Sequence, residues 1–168
     1  ALERFGAIDT LVVDKTGTLT EGRLAVVAIV PAGGFDEAGL LRLAASLERG
    51  SEHPLADAIL RAAQERGLAL SEASDFQSPV GRGVLGVVEG SRIVLGGAPL
   101  MGEQRIDVRP LADDAERLRA DGATAVFAAV DGRLAGVLAI ADPIRASTPG
   151  AVRTLKTEGV RLVMMTGA

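Results

Sequence analysis

The sequence contains no cysteine, no tryptophan, no tyrosine and a single histidine. Without cysteine there is neither a disulfide framework nor a thiolate metal site, and one histidine cannot supply an imidazole cluster. Any metal held by this chain is therefore expected on oxygen ligands, with magnesium the most natural choice. The four phenylalanines are the only aromatic residues, so a bound base would rest on aliphatic walls and backbone. No long basic run or aromatic-studded basic stripe occurs, and 18 Lys plus Arg against 22 Asp plus Glu leave a net charge of −4. That balance argues against nucleic acid as a partner. The longest apolar stretches, such as LAVVAIV and VFAAV, fall far short of the roughly 20 residues of a membrane span. The N-terminal ALERFGAIDT has no basic end followed by an apolar block, so no signal peptide is read there, and no membrane contact is expected of this stretch.

What is present is ample apolar material: 48% of 168 residues, enough for one ordinary domain or two small ones. IDTLVV (8–13) reads as a short buried strand ending in a turn signal at Lys15 to Gly17, which sets Asp14 at the strand's C-terminal end. At the other end, GRLAGVLAIAD (132–142) reads as a strand, ASTPGAVRTLKTEG (146–159) as a helix and VRLVMMTG (160–167) as a strand, a parallel βαβ unit. Between them come a strand at 24–30, helices at 36–49 and 54–67, and short strands at 83–90 and 91–97 about a Gly90-Ser91 turn. A helix follows at 111–122, then a strand at 123–130 that meets RLAGVLAI across Asp131-Gly132, a strong hairpin signal. Such runs of adjacent strands predict an antiparallel sheet with helices on one side. The expected organisation is α/β at the ends (1–24 and 133–168) with an α+β domain, 25–132, inserted between.

A carboxylate at the C-terminal edge of a parallel strand occupies the usual place for catalysis in open α/β sheets. Gly17 allows a tight turn whose exposed amides can hold phosphate oxygens, and Lys15 with the hydroxyls of Thr16, Thr18 and Thr20 adds donors. As a lone residue Asp14 would be an ordinary strand-to-turn aspartate, but seven specified residues in a row are another matter. DKTGTLT resembles the phosphorylation signature of P-type ATPases. The resemblance implies a haloacid-dehalogenase-like phosphorylation domain, with Asp14 as the nucleophile that takes the γ-phosphate of ATP, Lys15 beside it, and the Thr16 carbonyl helping Asp14 hold Mg2+. That is covalent catalysis by a carboxylate, needing a cation to offset phosphoryl charge. Phosphatases of the same superfamily carry an acid two residues after the nucleophile. Thr16 stands there, so an aspartyl-phosphate should persist.

The one histidine lies in GSEHPLADAI, where His53 before Pro54 could simply cap a helix. SEHPLA also resembles the nucleotide-domain signature of the heavy-metal-transporting (type IB) branch of P-type ATPases, which implies that His53 orients the adenine and Glu52 shapes the base pocket. GRGV (81–84) alone is a strand-connecting turn, but downstream of that signature it resembles the branch's Gly-x-Gly, making Gly81 and Gly83 candidates for close nucleotide approach and Val84 an aliphatic wall. In LGGAPLM, Gly96 matches the family's Gly-Asn while Gly97 replaces the asparagine and removes an amide side chain. ADPIR resembles a further family segment. There Asp142, otherwise a helix-initiating aspartate, lies near the domain hinge, and Arg145 can reach nucleotide phosphates.

The resemblance spans nearly the whole chain and implies a part of a longer pump. MMTGA matches the family's Thr-Gly-Asp at Thr166 and Gly167 but not at Ala168, and the later magnesium aspartates, the actuator domain and the transmembrane helices are not in this sequence. The implied whole is an ATP-driven exporter of a heavy metal, with SEHPLA pointing to copper, whose nucleotide-carrying part lies on the cytoplasmic side of the membrane. Domain closure would carry the γ-phosphate to Asp14, and the actuator and membrane domains of the same chain would be its partners. This stretch is expected to bind ATP without efficient turnover, its magnesium site being incomplete. The rival readings are a capped phosphatase and a nucleotide-binding module without catalysis.

Overall fold

The apolar stretches between Ala25 and Ala141 are too continuous for strands with one wet face, and the computed structural model, which describes residues 9–165, buries them on both. In chain order the elements are β1 (Thr10–Asp14), β2 (Ala25–Pro31), α1 (Glu37–Glu48), α2 (Pro54–Glu65), β3 (Ala73–Gln77), β4 (Gly83–Val88), β5 (Ser91–Gly96), α3 (Ala98–Glu103), α4 (Ala112–Ala120), β6 (Thr124–Val130), β7 (Arg133–Ala141), α5 (Thr148–Thr157) and β8 (Arg161–Met165). They fall into two compact units, one built from the chain's end segments up to Arg23 and from Asp142, the other from Leu24–Ala141.

The central unit is a six-stranded antiparallel sheet in the order β2-β7-β6-β5-β4-β3. Val84, Val88, Ile93, Leu95, Val126 and Leu138 face one core shared with α1 and α2, through Leu40, Leu41, Leu47 and Ile59. Their strand neighbours Leu85, Val94, Ala125, Phe127 and Val137 face a second core with Leu100, Met101, Leu111 and Ala115. Helices thus cover both faces, not the single face expected from the strand order, because nearly every position of β4 to β7 is apolar and both sides need cover. Two elements carry little sequence signal: β3, an edge strand with the polar sequence ASDFQ, and the short α3.

One expectation about the chain's end is corrected. The strand over 133–141 does not join a βαβ unit with β8. It pairs antiparallel with β6 and with β2 and belongs to the inserted sheet. Asp131 and Gly132 both lie at positive φ, +49° and +78°, the two-residue turn whose twist suits a hairpin, so local turn geometry decided the pairing. The inserted unit therefore runs to Ala141 and not to residue 132. The neighbouring hairpin turns one residue earlier than expected, at Glu89 and Gly90 (φ +52° and +80°), with Val88 opposite Ser91.

In the end-segment unit β1 pairs with β8 in parallel, from Thr10 opposite Arg161 to Asp14 opposite Met165. Contrary to the buried strand expected, β1 alternates between exposed and half-buried, and Val12 is 54% exposed. Among the described residues this sheet has two strands, so neither face is fully covered. No helix among the described residues is long and apolar enough to cross a membrane.

Candidate functional site

Asp14 is the last residue of β1 and is exposed, as the end of a strand entering a tight loop should be. Gly17 at φ +77° reverses the chain, a conformation that costs other residues roughly 1–2 kcal/mol. Thr20 closes the loop: its amide donates to the Lys15 carbonyl at 3.1 Å, and its Oγ1 accepts from the Gly17 amide at 3.1 Å. The Thr20 hydroxyl, 2% exposed, lies 2.6 Å from Asp142 Oδ2 and donates there.

Asp142 and Arg145 are structural braces of this loop. Asp142 Oδ1 accepts from the amides of Gly22 (2.9 Å) and Arg23 (3.2 Å). Desolvation pushes the Asp142 carboxyl up, but the hydrogen bonds from Thr20, Gly22 and Arg23 and the charge of Lys15 outweigh it and hold it below the usual carboxylate range. Arg145 donates from Nε to the Thr20 carbonyl at 2.8 Å and from a terminal nitrogen to the Gly17 carbonyl at 2.9 Å. Thr148 adds a bond to the Leu19 carbonyl at 2.8 Å. Asp142 and Arg145, expected near the nucleotide, thus hold the Asp14 loop through these bonds, and neither is among the residues that line the cleft described next.

Magnesium takes one or two carboxylates and completes its shell with phosphate oxygens and water. Asp14 and the carbonyl of Thr16, two residues on in extended backbone, fit that partial set. No group of three or more His, Cys, Asp or Glu side chains forms among the described residues. Thr166 lies outside the described residues.

The second candidate site is a cleft of about 290 Å³ in the inserted unit. His53, Gly81, Gly83, Val84, Gly96 and Gly97, scattered through the sequence, all line it. Leu55, Ile59, Val84, Leu95 and Val126 supply aliphatic walls. His53 serves both readings offered by its sequence. It is the N-cap of α2, with Nδ1 accepting from the Leu55 amide at 3.2 Å, and it lines the cleft. With Nδ1 accepting, the ring proton resides on Nε2, so the cap fixes both orientation and donor.

The glycines differ in what they are for. Gly83, at φ +137°, would place a Cβ 2.1 Å from the Leu95 carbonyl oxygen, so it is required for β4 to pass β5. A Cβ on Gly96 would lie 2.4 Å from the Arg82 carbonyl oxygen. Gly81, at φ +69°, has nothing within 4 Å of such an atom and faces open space. Gly97 begins α3 without a side-chain cap.

Glu52 is exposed and does not line the cleft; the acid that does is Glu48. Glu48 is 7% exposed, and its Oε2 has no hydrogen-bond partner. Burial pushes its carboxyl up, against the Ser51 hydroxyl and His53. The signal was in the helical period: Glu48 follows Leu41 by seven residues and Ala44 and Ala45 by four and three, on the buried face of α1. Ser51, Arg82 and Thr124 also line the cleft and were not singled out by sequence.

A model described as a hydrolase, haloacid dehalogenase-like hydrolase, matches residues 8–168. The chain is 47% identical over 167 residues to a silver exporting P-type ATPase of Salmonella typhimurium, covering 99% of this chain and 20% of that protein. It is 48% identical to a copper-exporting P-type ATPase of Legionella pneumophila, again over 99% of this chain and 23% of the relative. The fold superposes on a crystal structure of a zinc-transporting PIB-type ATPase in its E2.Pi state with a TM-score of 0.84 and 36% identity, covering 98% of this chain and 26% of that one. The chain thus spans about a fifth to a quarter of the length of these relatives.

Proposed function

Because the chain belongs to the haloacid dehalogenase-like hydrolase family, we propose that it is the ATP-binding, phosphate-accepting part of a heavy-metal-translocating P-type ATPase. The observation that carries this reading is the cleft, where a buried carboxyl with one unpartnered oxygen, a histidine that caps α2 and a glycine-lined wall meet aliphatic surface. Adenine presents an amino group where guanine presents a carbonyl. Glu48 Oε2 can accept from the first and meets only a second acceptor in the other, and leaving such a buried acceptor unpaired costs about 1–3 kcal/mol. His53 donates from Nε2 to a ring nitrogen of the base, while the aliphatic walls hold its faces.

In the transfer step a carboxylate oxygen of Asp14 attacks the γ-phosphorus. The new C–O–P linkage forms as the bond to the β-phosphate oxygen breaks, and ADP departs with that electron pair. Lys15 offers its ammonium group to the phosphoryl charge, and the Thr20, Asp142 and Arg145 braces hold the loop that presents Asp14. Magnesium, when bound at Asp14 and the Thr16 carbonyl, supplies charge neutralisation of the phosphoryl oxygens. Thr16 stands where an acid would protonate the leaving group and activate water, so Asp14 keeps its phosphate. Transported metal is a matter of similarity, since the described residues hold no metal cluster; copper, named for the Legionella relative, is the cargo we favour. The corresponding location is the cytoplasmic face of a membrane, beside the actuator and membrane domains of a longer chain.

The test is ATP binding and turnover in one preparation. We expect saturable ATP binding, little steady hydrolysis and no turnover of p-nitrophenyl phosphate. Steady ATP hydrolysis abolished by Asp14→Asn would show that the magnesium site is complete in this chain. Turnover of p-nitrophenyl phosphate would move the assignment to a phosphatase.

A further inference from the structure

The cleft has a polarity that the base-binding residues do not use. Its buried end carries Glu48, and one wall is made of Gly81, Gly83, Gly96 and Gly97, which offer backbone only. Among the residues lining the cleft, Arg82, inside that glycine wall, is the only Lys or Arg. Its backbone is fixed: the Arg82 amide donates to the Pro79 carbonyl at 3.1 Å, and its carbonyl accepts from Gly97 at 3.4 Å. Its guanidinium is instead paired with Glu103, the last residue of α3. Both side chains are about half in water, 54% and 48% exposed, so the pair is weak and exchangeable.

An adenine nucleotide must put its base in the buried, aliphatic end and its phosphates toward solvent. Resting on the adenine-site reading above, we propose that Arg82 is the phosphate-recognising residue of the cleft and that Glu103 is its latch. In the empty cleft Glu103 holds the guanidinium along α3; a triphosphate, with more charge and a better fork of oxygens than one carboxylate, takes the guanidinium from it. Glu103 thereby lowers the affinity for adenine ligands in proportion to what their phosphates draw from Arg82 and leaves adenosine untouched, whereas Arg82 itself sets the preference for ATP over AMP and adenosine. The backbone staple at Arg82 means that the exchange needs only side-chain rotation.

The experiment is equilibrium binding of ATP, AMP and adenosine, without divalent metal, to the 168-residue chain and to Arg82→Gln, Glu103→Gln and the double variant. Arg82→Gln should weaken ATP about tenfold and adenosine less than about twofold. Glu103→Gln should tighten ATP about two- to fivefold in the parent and not at all in the Arg82→Gln background. Arg82→Lys, which keeps charge but not the fork, should fall between. Equal losses for ATP and adenosine in Arg82→Gln, or no gain in Glu103→Gln, would overturn the proposal while leaving the adenine site standing. If the unaltered chain binds neither adenosine nor ATP, the adenine-site reading itself fails, and this proposal with it.

Discussion

Gly81 and Gly83, with one residue between them, should respond to the same substitution to very different extents. In Gly83→Ala the added Cβ meets the Leu95 carbonyl oxygen at 2.1 Å, the Gly96 Cα at 2.7 Å and Leu100 Cδ2 at 3.0 Å, at a φ of +137°. Two of those neighbours are backbone of the paired strand, so relief requires opening the β4–β5 ladder where Gly83 lies opposite Gly96. Backbone strain of about 1–3 kcal/mol and overpacking of about 1–3 kcal/mol sum to about 2–6 kcal/mol. For a unit the size of Leu24–Ala141 this lowers the melting temperature by about 8–24 °C. Gly81→Ala meets nothing within 4 Å and has only the left-handed backbone to bear, at φ +69°. That costs about 1–2 kcal/mol, partly offset by about 0.4–1 kcal/mol of lost unfolded-state entropy, for a shift of about 4 °C. Its larger effect should fall on ATP affinity, by about fivefold for ~1 kcal/mol of methyl crowding in the cleft. Thermal unfolding followed by circular dichroism, with ATP binding measured well below both transitions, separates the two. Equal melting shifts, or a Gly83→Ala protein as stable as its parent, would refute the close strand passage inferred here.

Glu48 and Asp142 should give opposite pH responses. The Glu48 carboxyl is raised above 4.5 by burial, so its contribution to stability is present below that pH and is lost as pH rises through the raised value. Denaturant midpoints of the parent should fall over that window, and those of Glu48→Gln should stay flat, with ATP-over-GTP preference lost in the variant. Asp142 is held below 3.8, so its contribution is present above that pH and disappears as pH falls through the lowered value. The amide resonances of Gly22 and Arg23 should shift together in that acid window and show no such titration in Asp142→Asn. Gly97→Asn should be tolerated, since the nearest atom to an added Cβ is Pro99 Cδ at 3.4 Å. A capping side chain there should raise stability by a few tenths of a kcal/mol in chemical unfolding.

Residues adjacent in sequence made the Asp14 loop legible. The strand end, the Gly17 turn and the run of threonines all lie within one short stretch, and the structure places Asp14 at the end of β1 as expected. His53, Gly81, Gly83 and Gly97 were each found by a local pattern, yet their meeting in one cleft depends on β4, β5 and α2 packing together, which no single pattern states. Glu48 was missed because an acid among leucines reads as a solvated helix position unless the period is followed to the end of α1. The bracing role of Asp142 and Arg145 was not legible, because their partners, Thr20, Gly22 and Gly17, lie more than a hundred positions away along the chain. The strand over 133–141 shows two signals in competition: proximity to the closing βα elements suggested a parallel sheet, and the Asp131-Gly132 turn, a shorter-range constraint, prevailed.

The central claim is that the cleft at Glu48, His53 and the glycine wall binds the adenine of ATP. Amide chemical shifts of the labelled chain, followed during titration with ATP and then with GTP, test it most directly, with His53→Gln as the control. The account predicts shifts clustered at Glu48, His53, Gly81 to Val84 and Gly97, larger with ATP than with GTP and lost in the variant. Equal responses to both nucleotides, shifts confined to residues elsewhere, or an unchanged titration in His53→Gln would contradict it.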